Sequence, residues 1–165
     1  MKTDASMNTD ASMSRSTSLI ALAVFAALVV VAAQFGAMYR PGAWYQGLVK
    51  PSFTPPNWLF PIAWTTLYVM IGLAGYVAWK AQGIGAAIGV WLVQLILNAA
   101  WSYIMFGRHD IGLALIDIGA VWLSIAAFIA LTWNRSRLAA LLFVPYLAWV
   151  SFAAVLNFEV WRLNA

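Results

Sequence analysis

The chain has 165 residues, of which 64% are hydrophobic and 8% charged, with a net charge of +4. A soluble domain carries about 25% charged residues, so there is too little polar surface to face water and the chain reads as an all-α integral membrane protein. Cysteine is absent, which excludes disulfides, thiolate metal sites and thiol nucleophiles; the nine Lys and Arg are scattered, with no basic run for nucleic acid.

Residues 1–18 are polar and contain a small tandem repeat, Thr3-Asp-Ala-Ser-Met7 and Thr9-Asp-Ala-Ser-Met13. They read as a disordered tail ahead of a membrane domain over 19–165. Lys2 and Arg15 before an apolar run, with small residues at Ala32 and Ala33, also fit a signal peptide. The run continues to Tyr39, which favours a membrane span. Five apolar segments follow, at about 19–39, 58–79, 86–106, 111–133 and 138–161. Each is long enough to cross a hydrocarbon core about 30 Å thick. The later connections are short, so the chain is expected to run up and down as a five-helix bundle. An odd helix count puts the termini on opposite sides, and the first loop then shares an end with the 107–110 connection and the C-terminus. Charge does not set the orientation: Lys2, Arg15, Lys80, Arg135 and Arg137 on one side face Arg40, Lys50, Arg108 and Arg162 on the other.

The first loop is the long one. From Arg40 to Trp64 it holds five of the six prolines and three tryptophans. Proline restricts its own φ and the residue before it, so such a loop has little freedom to lose on ordering. It reads either as a rigid aromatic lid over the bundle or as a membrane-surface anchor.

Helical periodicity assembles four inward faces. They are Pro61, Trp64, Tyr68, Ile71 and Gly75; Trp91, Gln94, Asn98, Trp101 and Met105; Asp110, Ala114, Asp117, Val121, Ser124 and Phe128; and Tyr146, Trp149, Ala153, Asn157 and Val160. Polar groups in hydrocarbon normally face the bundle interior, so the large aromatics on the same stripes are expected inside too. Gln94, Asn98 and Asn157 either cross-link helices or orient a ligand in a pocket walled by Trp64, Tyr68, Trp101, Tyr146 and Trp149. Asp117 reads either as a functional carboxylate or, preferably, as an acceptor for a neighbouring Trp or Tyr. Glu159 and Arg162 are spaced for a local pair. His109, the only histidine, reads as a solvated loop residue. No metal site and no cofactor are expected, and no acid–base catalytic set is visible.

Trp44-Tyr45, Lys50-Pro-Ser-Phe53-Thr-Pro-Pro-Asn57-Trp58, Pro61, Trp64 and Leu67-Tyr68 resemble the TspO family. The resemblance continues through Gln94-Leu-Ile-Leu-Asn98-Ala-Ala-Trp101, Phe106-Gly107, Asp117, Pro145-Tyr146-Leu-Ala-Trp149 and Leu156-Asn157-Phe158 to Trp161-Arg162. These are the tryptophan-rich sensory proteins of bacteria, together with the mitochondrial translocator protein or peripheral benzodiazepine receptor. The resemblance implies a homodimer in a bacterial membrane, inner or outer, and a pocket under the first loop. The implied ligands are porphyrins such as protoporphyrin IX, sterols, and isoquinoline- or benzodiazepine-type compounds. By motif, the ligand-contacting positions are Tyr45, Pro55, Trp64, Asn98, Trp149 and Ala153; Tyr68, Trp101 and Tyr146 join them from the helix faces. Trp64 and Trp149 match tryptophans linked in some members to light-dependent porphyrin breakdown. Phe53 stands where many members carry Trp, and Phe158 where the C-terminal sterol motif needs Tyr. The expected function is a porphyrin-binding receptor, sensor or carrier. The alternatives are a light- and oxygen-dependent porphyrin-degrading enzyme and a sterol, lipid or tetrapyrrole transporter.

Overall fold

A computed structural model describes the backbone of residues 3–165 and the side chains of residues 15–165. The elements in chain order are α1 (Thr3–Met38), α2 (Ala43–Gly47), α3 (Leu59–Gln82), α4 (Ala86–Ser102), α5 (Ile111–Thr132) and α6 (Arg137–Asn164). Five spans, Arg15–Met38, Leu59–Gln82, Ala86–Gly107, Ile111–Thr132 and Arg137–Asn164, are long and apolar enough to cross a membrane. All five fall on the expected segments. In hydrocarbon a backbone N–H has no water to bond, so an unbroken apolar run has little choice but a helix. Of the expected tail, residues 15–18 are helical and form the start of the first span, and residues 1–14 lie outside those whose side chains are described.

The helices are not arranged in simple sequential order. α4 packs on α5 and α5 on α6, whereas α3 packs mainly on α1 and α6. α1 lies against both α3 and α4, which touch each other little despite their short connection. The small residues of α3 make this possible. Gly72, Ala74, Gly75 and Ala78 are all buried, and Gly75 is the tightest point. A Cβ there would lie 2.6 Å from Trp91 Cε2 and 2.8 Å from Phe25 Cδ1. Phe25 and Trp91 meet edge to face at 5.0 Å, and the Trp91 indole N–H donates to the Ile71 carbonyl at 2.9 Å. Three helices therefore converge on one missing side chain. Gly89, in contrast, has open space where a Cβ would stand, so it does not serve packing within the bundle.

The inward faces are largely as expected. Ile71, Trp91, Gln94, Phe128, Ala114 and Tyr146 are fully buried. Pro61 is a correction: it is exposed and groups with the exposed Ile62, Thr65 and Thr66 on the outer side of α3, away from the side where Phe60 and Trp64 meet α6. Gln94 is a second correction. It is buried with neither amide atom hydrogen-bonded among the described residues, so it does not cross-link helices as Asn98 and Asn157 do. The Glu159–Arg162 pair forms, with Arg162 Nη2 donating to Glu159 Oε2 at 2.6 Å.

α4 does not end cleanly. It widens into a π-helical turn, Tyr103–Gly107, with Arg108 N bonded back to the Tyr103 carbonyl at 2.9 Å. Such turns cluster at functional sites. This one carries Phe106 toward Trp101 and the first loop. In α6, Pro145 has no N–H to give to the carbonyl four residues earlier and stands directly before Tyr146.

Candidate functional site under the aromatic loop

α3, α4 and α6 meet at an aromatic cluster with an amide at its centre. Trp64 lies 5.5 Å from Tyr68, 6.3 Å from Tyr146 and 6.5 Å from Trp149, ring centre to ring centre. The Tyr68 hydroxyl donates to Asn98 Oδ1 at 2.9 Å, and Asn98 Nδ2 donates to the Tyr146 oxygen at 3.0 Å. One asparagine thus ties three helices together. Trp149 extends the wall to Phe60 and Phe152, at 6.0 Å each. Its indole nitrogen is buried with no hydrogen-bond partner among the described residues. A buried N–H without an acceptor is unusual and calls for an occupant or a water.

A second cluster lies nearer the first loop. Trp101 donates its indole N–H to Asn157 Oδ1 at 3.1 Å, and Asn157 Nδ2 donates to the Ile111 carbonyl at 3.2 Å. Trp101 and Tyr45 both meet Phe106 edge to face, at 5.5 Å and 5.2 Å. Burial penalises the phenolate and pushes the Tyr45 hydroxyl above the usual phenol range. The Lys50 ammonium sits 4.8 Å over the Tyr45 ring.

Of the nine residues read from the sequence, Trp64, Tyr68, Asn98, Tyr146 and Trp149 form one connected group. Tyr45 and Trp101 form an adjacent one through Phe106. Pro55 and Ala153 are half-buried, Pro55 in the loop and Ala153 one turn beyond Trp149. Asp117 is buried, but its Oδ2 has no hydrogen-bond partner among the described residues. The expectation that it accepts from a neighbouring Trp or Tyr is corrected to that extent: the Trp101 and Trp122 indoles bond Asn157 and Ser151 instead.

Besides the Tyr45–Phe106 contact, the loop is a lid fastened at three further points, none of which is visible in the sequence. Phe53 meets Phe152 at 6.4 Å. Trp44 stacks on His109 at 4.2 Å, with 16° between the rings. His109 has φ 58°, the left-handed region that few non-glycine residues adopt. It is thus exposed as expected, but packed against the lid. Third, Asn164 clasps the Val49 peptide from both sides: Val49 N donates to Asn164 Oδ1 at 3.0 Å, and Asn164 Nδ2 donates to the Val49 carbonyl at 2.9 Å. These contacts show that the first loop shares an end with the 107–110 connection and the end of α6. With Asn164→Leu, amide exchange at Val49 and its neighbours is expected to rise about fivefold, since each lost exposed hydrogen bond contributes about 0.5–1 kcal/mol. Unchanged exchange would mean that the aromatic contacts hold the lid alone.

Residues 19–162 match the TspO/MBR family model. The chain belongs to the TspO/MBR family. It is 43% identical over 136 residues to Protein CrtK of Rhodobacter capsulatus, covering 78% of this chain and 83% of that one. It is 40% identical over 129 residues to a tryptophan-rich sensory protein of Cereibacter sphaeroides, with 78% and 82% covered. The human translocator protein is 42% identical over 126 residues, with 73% and 75% covered. Membership in the TspO/MBR family and five spans make this an integral, multi-pass membrane protein. The matched stretch includes the whole lid and both aromatic clusters and stops two residues before Asn164.

Proposed function

We propose that the protein is a membrane receptor, sensor or carrier that takes a porphyrin-like tetrapyrrole into the aromatic cluster beneath the lid. Membership in the TspO/MBR family supports a sensor, receptor or transporter role in the membrane. The observation that carries the ligand class is the contact of Trp64 with Tyr68, Tyr146 and Trp149 across two helices. Ring–ring contacts of this kind are worth about 0.5–1.5 kcal/mol each. They can be exchanged for contacts with the faces of a flat ligand at little net cost. The Trp149 N–H, without a partner among the described residues, is then available to a ligand carbonyl or carboxylate. No acid–base set is needed for binding of this kind. Sterols and isoquinoline- or benzodiazepine-type compounds are the competing occupants, and a homodimer is the expected assembly.

A second reading, porphyrin breakdown driven by light and oxygen, is favoured by the closeness of two indoles, Trp64 and Trp149, at 6.5 Å. A protoporphyrin IX titration of the purified protein, followed by tryptophan fluorescence in darkness and by porphyrin absorbance under illumination, tests both readings. Trp64→Phe and Trp149→Phe are each expected to weaken binding about three- to tenfold, the loss of one ring contact. Trp79→Phe, at the opposite end of α3 and packed on Tyr76, is expected to leave binding unchanged. Equal effects from all three would overturn the site. Absorbance lost in light but not in darkness would support the enzyme; saturable quenching with stable absorbance supports the binder.

A further inference from the structure

At the end of the bundle away from the lid, a cleft of about 430 Å³ opens between α1 and α3, lined by Thr17, Ser18, Trp79, Lys80 and Gly83. We propose that this cleft binds the phosphodiester headgroup of an anionic phospholipid.

Charge is the first reason. Among the residues whose side chains are described, the cations of this end are Arg15, Lys80, Arg135 and Arg137. The described carboxylates lie elsewhere: Asp110 caps α5 near the lid, Asp117 is inside the bundle, and Glu159 pairs with Arg162 near the end of α6. Among the described residues no carboxylate is within ion-pair distance of Lys80. Its ammonium is placed instead over the Tyr76 ring, 5.7 Å from the centre. Tyr76 in turn hydrogen-bonds Ser18 across to α1, which fixes the spacing of the two walls. An ammonium at the edge of a cleft, with hydroxyls opposite and no carboxylate within ion-pair distance among the described residues, matches a phosphate monoanion.

Position is the second reason. Lys80 and Trp79 stand in the last turn of α3, and Thr17 and Ser18 in the first turn of the first span. This is the depth of headgroups, where indoles and basic side chains collect and where basic clefts between helices take lipid phosphates. Gly83, at φ +70° and with open space around it, leaves the rim clear of side chains. Trp79, the apolar wall of the cleft, is partly buried against the bundle core, so acyl chains attached to the phosphate would lie along it in hydrocarbon. A soluble phosphate would gain nothing from that wall.

The full chain, reconstituted in nanodiscs of mixed phosphatidylcholine and phosphatidylglycerol and then moved to detergent, tests this by lipid mass spectrometry. Retention of phosphatidylglycerol in excess of its share of the bilayer is expected. Lys80→Gln should reduce that retention about fivefold, the effect of one basic residue at a lipid surface. Lys80→Arg should largely restore it, and Arg108→Gln, at the lid end, should leave it unchanged. Lys80 is exposed, so both Lys80 variants are expected to fold, and their melting temperatures check this. Equal retention of the two lipids, or retention indifferent to Lys80→Gln, overturns the proposal. Displacement of phosphatidylglycerol by inorganic phosphate or glycerophosphate at matched concentration would make the cleft a site for soluble phosphate and would overturn the lipid assignment.

Discussion

Gly75→Ala is expected to destabilise the folded protein by about 2–3 kcal/mol, the upper part of the range for overpacking a filled core. The added methyl would stand 2.6 Å from one Trp91 ring atom and 2.8 Å from a Phe25 atom. Neither ring can simply swing away. Trp91 is fully buried and tied to the Ile71 carbonyl, and Phe25 lies edge-on against it. α1 or α4 must therefore move, and the Trp91–Ile71 hydrogen bond stretches with it. Thermal unfolding in detergent measures the loss. Combining Gly75→Ala with Trp91→Leu should recover part of it, because neighbours that share one space are not additive. Strict additivity, or a Gly75→Ala variant as stable as the parent, would mean that the α1–α3–α4 contact is looser than its distances indicate.

Asn98→Leu is expected to lower both stability and ligand affinity. The substitution keeps the volume but removes the acceptor of the Tyr68 hydroxyl and the donor to Tyr146. Tyr146 is fully buried, so its oxygen finds no water. Orphaned buried groups cost about 1–3 kcal/mol each in water-soluble proteins, while interhelical bonds in membranes average nearer 0.6 kcal/mol. A combined loss of about 1–2 kcal/mol is the expected result. Affinity for the proposed porphyrin ligand should fall by about tenfold, since Tyr68 and Tyr146, the two rings beside Trp64, lose their fixed positions. Tyr68→Phe removes only the first of the two bonds and should show the smaller effect of the pair. Wild-type affinity in Asn98→Leu with reduced stability would separate the two roles and leave Asn98 as a purely structural cross-link.

The helix count, the spans and most of the inward faces were legible in the sequence. Hydrocarbon compels the backbone to bond within each segment, and polar side chains on a span mark the side that turns away from lipid. Asn98 and Asn157 lie on those stripes and do join helices. Gln94 lies on the same stripe, at the same spacing, and joins nothing among the described residues. Periodicity gives direction around a helix but not what stands opposite. That depends on the vertical offset between helices, which the short connections do not set. The same limit hid the placing of α1 between α3 and α4, the convergence on Gly75, and the π-turn that brings Phe106 to Tyr45. It also hid the clasp of Asn164 on Val49, two residues 115 positions apart. Each of these is a pairing between distant segments, and no local pattern of residues encodes such a pairing. The sequence by itself determined what must cross the membrane and which faces turn inward; only the tertiary structure decided which residues meet there, because contacts follow from how helices slide and tilt against one another to fill space.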